Sequence, residues 1–260
     1  MTDLHHEQFI RDNLDSVSNL AESREVKRLS QAWINAVAEH RYTYLFESLG
    51  RPIIQFPQDM VALQTLIWNI KPDLIIETGI AHGGSLIQSA SCLALIDLTE
   101  AIEAGAQYKY EDTKRKVIGI DIDIRDHNRI AIESHPMSNW ITMIEGSSID
   151  PKTVDKVSKL AQEYEKVLVL LDSNHTAEHV LQELKAYSGL VTVGSYCIVY
   201  DTVIEDMPPN SFPDRPWGVG NNPMTAVFEF LRGNPQFEID LEIQNRLQIS
   251  VAPNGYLRRI

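Results

Sequence analysis

The sequence predicts a doubly wound, mostly parallel α/β sheet with helices on both faces, preceded by an N-terminal helical arm. Three observations predict it. Short apolar runs alternate with helix-length segments five times between residues 74 and 232. The runs end at Glu77, Asp121, Glu145, Asp172 and Asp201, where the ligand-binding loops of such a sheet begin. Two more short apolar runs follow, spaced as an antiparallel closing pair.

The elements follow in order. Residues 1–21 are polar and weakly patterned. Over 22–48, Val26, Leu29, Trp33, Ile34, Val37 and Tyr44 recur near helical spacing. Gly50-Arg51-Pro52 ends that helix and 51–57 reads as an ordered linker. The chain therefore divides into an arm, 1–50, and a domain, 51–260. A helix over 58–69 stops at Lys71-Pro72-Asp73. Strands are expected at 74–77, 116–120, 140–144, 166–171 and 195–200. Helices are expected at 83–104, 152–163, 177–187 and 223–232, and a helix or turn at 128–133. Residues 202–222 are rich in proline and glycine, and a loop that long in a compact domain is usually functional. The closing strands are placed at 237–242 and 247–252, antiparallel across 244–246.

Composition narrows the function. Lys and Arg total 23 against 36 Asp and Glu, a net charge of −13 that repels a phosphate backbone and argues against a nucleic-acid partner. Cys92 and Cys197 read as buried small hydrophobes rather than a disulfide framework. The first fifteen residues lack a signal peptide's apolar core, and no run reads as a membrane span. A cytoplasmic protein without a membrane partner is expected.

Ile76-Glu77-Thr78-Gly79-Ile80-Ala81-His82-Gly83-Gly84-Ser85 carries a strand through a glycine turn into a helix. Its spacing differs from the G-x-G-x-x-G of dinucleotide sites and from the phosphate-binding P-loop. A carboxylate at Glu77 disfavours pyrophosphate and suits a ligand with an amino group and a sulfonium. Asp121, and after it Asp123, can accept ribose hydroxyls. Ser147 is placed beside a base. Asp172 and Asp201 end adjacent strands, and two such carboxylates repel unless a cation lies between them. Oxygen ligands favour Mg²⁺, with Asn174 or Asp206 as candidates to complete the set. His175 follows Asp172 by three residues and can accept a hydroxyl proton. His179 and His82 are weaker candidates. Met207, Phe212 and Trp217 can wall an acceptor pocket, or pack the loop down.

The chain resembles the cephalosporin hydroxylase-like and rhamnosyl O-methyltransferase family of class I methyltransferases over about residues 50–260. The likeness rests on Phe56-Pro57-Gln58-Asp59-Met60, the 76–85 turn, Val117-Ile118-Gly119-Ile120-Asp121-Ile122-Asp123, Leu171-Asp172-Ser173-Asn174-His175-Thr176, and Pro253-Asn254-Gly255-Tyr256-Leu257-Arg258-Arg259. It implies a Rossmann-like methyltransferase that uses S-adenosylmethionine (SAM) and Mg²⁺ to methylate a hydroxyl of a small natural product or sugar. It places Glu77, Gly79 and Asp121 at the cofactor, and the residue pattern adds Gly83, Ser85, Asp123 and Ser147 as cofactor candidates. It places Asp172 and Asp201 at the metal. His175 stands where related catechol-type enzymes carry a lysine, which supports it as base. The fifth strand departs from the family by ending in Tyr200-Asp201 rather than Glu-Asp. Two alternatives stay open: a metal-independent methyltransferase using His175 alone, and a non-catalytic cofactor-binding protein. A nicotinamide oxidoreductase is disfavoured by the glycine spacing. A homo-oligomer is expected, through the arm or the long loop.

Overall fold

The computed structural model describes residues 4–260. It opens with α1 (Leu4–Glu22) and α2 (Arg24–Ala38), separated at Ser23, whose hydroxyl accepts from the Val26 N–H at 3.3 Å. The helix expected over 22–48 stops at Ala38. Arg41 adopts the left-handed region (φ 53°) and turns the chain through Tyr42–Tyr44 into an antiparallel hairpin, β1 (Phe46–Ser48) and β2 (Arg51–Ile53). The aromatic residues there serve a different purpose: Trp33, Tyr42, Phe46 and Phe56 form a cluster of edge-on and tilted ring contacts.

α3 (Pro57–Ile70) starts with proline in its first turn. Then come β3 (Leu74–Thr78), α4 (Gly84–Glu103), β4 (Lys116–Asp121), α5 (Asp126–Glu133), β5 (Ile141–Glu145) and α6 (Pro151–Ala161). β6 (Val167–Leu171), α7 (Ala177–Tyr187), β7 (Tyr196–Val199), α8 (Pro223–Leu231), β8 (Phe237–Ile239), α9 (Leu241–Leu247) and β9 (Tyr256–Arg259) complete the order. The seven-stranded sheet runs β5-β4-β3-β6-β7-β9-β8, with β3 to β7 parallel and β9 antiparallel to both neighbours.

The closing pair is real, but its second strand is 256–259 and not 247–252. Asp240 accepts from the N–H groups of Glu242 and Ile243, so 241–247 winds into α9 instead of a turn. The apolar stretch after it is held elsewhere: buried Asp59 accepts from the Val251 N–H at 2.9 Å and from the Ser250 and Tyr256 hydroxyls.

Alternating strand residues build two cores. Ile75, Val117, Leu168, Leu170 and Ile198 face α3 and α4, while Leu74, Ile76, Val167, Val169 and Val199 face α6, α7 and α8. α4 is long and apolar enough to cross a membrane, contrary to the expectation from the sequence. Its Leu86, Ile87, Leu93 and Ile96 are fully buried in the fold, which accounts for that apolarity. Cys92 and Cys197 are free thiols.

Candidate active site

The parallel register brings the ends of β3, β4, β6 and β7 to one edge of the sheet. Gly79 has φ +90°, and a Cβ there would lie 1.9 Å from the Asp172 carbonyl oxygen. A Cβ at Gly84 would lie 2.3 Å from the Pro52 carbonyl oxygen. The glycines thus seat the turn between β6 and the 46–53 hairpin.

Polar contacts fix the turn further. Asp121 Oδ2 accepts from the N–H of Ile80 (2.8 Å) and of Ala81 (3.3 Å). Asn128 Nδ2 donates to the Ala81 carbonyl, and Arg51 donates to the His82 carbonyl at 3.0 and 2.6 Å and to Asn128 Oδ1. Arg51 and Asn128 were not singled out from the sequence. Their signal is slight, a lone arginine in a linker and an asparagine on a short helix.

Glu77 is 2 % exposed and accepts from the Ser85 hydroxyl, while its Oε2 is buried with no partner. Burial pushes its carboxyl up to about 8, against the opposing Ser85 hydrogen bond. It faces a small hollow shared with Gln55, Asp172 and Tyr200. An unpartnered buried carboxylate oxygen fits a ligand's cationic group. Asp121 Oδ1 also accepts from the Asp123 N–H at 3.2 Å. Asp123 itself is exposed and Ser147 half-buried, and neither lines the main cavity.

That cavity, about 450 Å³, opens between the glycine turn, the β6 and β7 ends, the 202–222 loop and the end of α2. On its wall Asp172, His175 and Asp201 bring one ligand atom each to within 4.8 Å of one another. His175 Nδ1 lies 3.3 Å from Asp201 Oδ2. Burial, then the negative charges of Asp201 and Glu77, hold the Asp172 carboxyl well above its ordinary range, and Gln55 Nε2 donates to its Oδ2 at 3.1 Å. Gln55 was also missed; a polar residue among Ile53, Ile54 and Phe56 was its signal. Two carboxylates and an imidazole facing one point fit a divalent cation in donor chemistry, with His175 as third member. Asn174 instead accepts from Thr176 at the start of α7, and Asp206 stands outside the cluster. His179 contacts Ser148, Ser173 and Glu183.

Asp201 sits at φ 57° and leads into a tight turn pinned where the Thr202 hydroxyl donates to the Pro253 carbonyl. Beyond it Met207, Phe212 and Trp217 all line the cavity. Trp217 meets His175 edge-on, with ring centroids 4.8 Å apart.

The family model described as Rhamnosyl O-methyltransferase/CmcI matches residues 40–260. The rhamnosyl O-methyltransferase of Mycobacterium bovis is 29% identical over 203 residues, 77% of this chain and 73% of its own length. That of Mycobacterium leprae is 28% identical over 213 residues, 81% of this chain and 82% of its own. A solved CmcI structure described as Mg-SAM shares the fold with a TM-score of 0.53 at 22% identity, over 84% of this chain and 77% of that one.

Proposed function

The chain belongs to the Rhamnosyl O-methyltransferase/CmcI family, and from that premise we propose that it is a SAM-dependent, Mg²⁺-assisted O-methyltransferase acting on a small hydroxylated acceptor. One observation carries the reading: the Asp172–His175–Asp201 cluster shares a single cavity with the glycine turn. When bound, SAM supplies an electrophilic methyl group and the cation lowers the pKa of an acceptor hydroxyl.

The residues divide the remaining work. Glu77 and the turn at Gly79, Gly83 and Ser85 hold the cofactor's amino-acid end, Asp121 and Asp123 its ribose, and Ser147 its base. Asp172 and Asp201 hold the cation. His175 takes the acceptor proton at Nε2 when Nδ1 stays turned to Asp201, or joins the metal ligands. Trp217 and Phe212 exclude water and orient the acceptor, so alignment and balanced charge provide most of the rate.

A metal-independent reading has one specific support, the His175–Asp201 contact at 3.3 Å. There Asp201 orients the imidazole and Nε2 alone acts as base. The net charge of −13 supports a small-molecule substrate over nucleic acid, and a cytoplasmic setting belongs to the same reading. So does self-association through α1, where Phe9, Ile10 and Leu14 are exposed; light scattering tests it. The activity itself is tested by calorimetry with SAM and S-adenosylhomocysteine, then labelled-methyl transfer to sugars and phenols with and without EDTA. No heat with either cofactor form refutes the proposal. Full activity in EDTA selects the metal-independent form.

A further inference from the structure

Resting on the methyltransferase reading, we propose that the acceptor carries an anionic group, a carboxylate or a phosphate, which Arg41 and Arg215 bind in the cavity that also holds the Asp172–His175–Asp201 cluster. Among the described residues the cavity is lined by two arginines and no lysine, and its only acidic residues are Asp172 and Asp201. Those two belong to the cluster. Neither guanidinium has an ion-pair or hydrogen-bond partner among the described residues. In a chain of net charge −13, two cations without counter-ions among the described residues lining one cavity are an unexpected concentration of positive charge. Both arginines are exposed in the free protein, so their guanidiniums are accessible to an entering anion.

Each guanidinium lies over an aromatic ring. Arg41 is 4.3 Å from the Tyr44 centroid and Arg215 is 5.2 Å from the Trp217 centroid. Stacking limits the orientations open to the planar group while leaving its N–H edge free for an oxyanion. Carboxylate and phosphate both match that edge with paired hydrogen bonds. The position also has chemical meaning. Trp217 packs on Arg215 through one contact and on His175 through another, so one indole separates the anion-binding group from the reacting end. A compact acceptor with its hydroxyl at the cluster can therefore reach Arg215 with an acidic substituent. The two arginines come from separate segments, one from the turn after α2 and one from the 202–222 loop.

The test titrates protein loaded with S-adenosylhomocysteine by calorimetry. Three probes differ at one position: 4-nitrophenyl glucoside, its 6-carboxylate (the glucuronide) and its 6-phosphate. We expect one or both anionic probes to bind at least about 10-fold tighter than the neutral one, as for a charge-assisted bidentate contact. That preference should shrink with added salt, and whichever probe binds identifies the anion. In the Arg41→Ala/Arg215→Ala double variant, and in the milder Arg215→Gln, it should fall to within about 2-fold. Equal affinities for all three probes, or no heat from any, overturn the proposal. So does a double variant that loses S-adenosylhomocysteine affinity but keeps the preference, which would assign the arginines to the cofactor's own carboxylate. If a variant fails to fold, the wild-type comparison decides. If S-adenosylhomocysteine gives no heat, the methyltransferase reading fails separately, and the same probes on unloaded protein still judge the charge preference.

Discussion

The glycine turn and the arginine-bearing part of the cavity are built on different plans. In the turn, the peptide groups of Ile80, Ala81 and His82 are bonded by Asp121, Asn128 and Arg51, and two glycines are pressed against neighbouring backbone. In the arginine-bearing part of the cavity, the guanidiniums of Arg41 and Arg215 lie over aromatic rings, with no ion pair or hydrogen bond among the described residues, and the lining comes from the turn after α2 and a loop of about twenty residues. One side is preorganised for a ligand that does not vary. The other keeps polar groups unspent for one that does.

Substitutions can break that contrast. The largest effect is expected at the cluster between the two sides: Asp201→Asn or Asp172→Asn should lower methyl transfer by about 10²–10³-fold, the scale of losing a charge-stabilising group. Calorimetric affinity for S-adenosylhomocysteine should move much less; an equal loss in both would move these residues into cofactor binding. Next comes Arg51→Ala, which removes charge-assisted hydrogen bonds of about 1.5–3 kcal/mol from the His82 carbonyl and Asn128. Cofactor affinity should fall by about 10-fold or more with acceptor KM unchanged, and an unchanged affinity would show that the turn holds its shape without the clamp.

Stability against pH probes the same side. Burial raises Glu77 from 4.5 to about 8, so between those values the folded protein keeps a proton that the unfolded chain has released. Its contribution is therefore full below about pH 4.5 and lost as pH rises towards 8, at up to about 1.4 kcal/mol per unit. Asp59, raised by burial from 3.8 to about 6, adds a similar fall at lower pH. Chemical denaturation across pH 4–9 should show both slopes, and Glu77→Gln should flatten the upper one; an unchanged upper slope would assign it to another group. The smallest effect is expected at Trp217→Phe, a several-fold rise in acceptor KM with cofactor affinity unchanged, because packing on His175 is trimmed and not removed.

What could be read from the chain follows the same divide. The parallel strands were legible because residues buried on both sheet faces make near-continuous apolar runs, and their terminal acids mark the loops. Asp172, His175 and Asp201 stood out because a strand end is a fixed landmark. Arg51, Gln55 and Arg41 did not, since their roles arise only when the hairpin and the end of α2 fold back over the sheet edge. The misplaced closing strand has a local cause as well. Residues 249–252 have the composition of a strand, but Asp59, on a distant helix, already bonds the Val251 peptide.

The place of β9 in the sheet constrains how the molecule is assembled on the ribosome. Residues 256–259 pair with β7 on one side and β8 on the other. Until they emerge, a nascent chain presents two unsatisfied strand edges, the state most open to wrong pairing with other chains. Their arrival also delivers the Tyr256 hydroxyl to Asp59, a contact spanning 197 positions. Such long-range closure is slow, so the sheet edge beside Asp201 should be among the last parts of this enzyme to take shape.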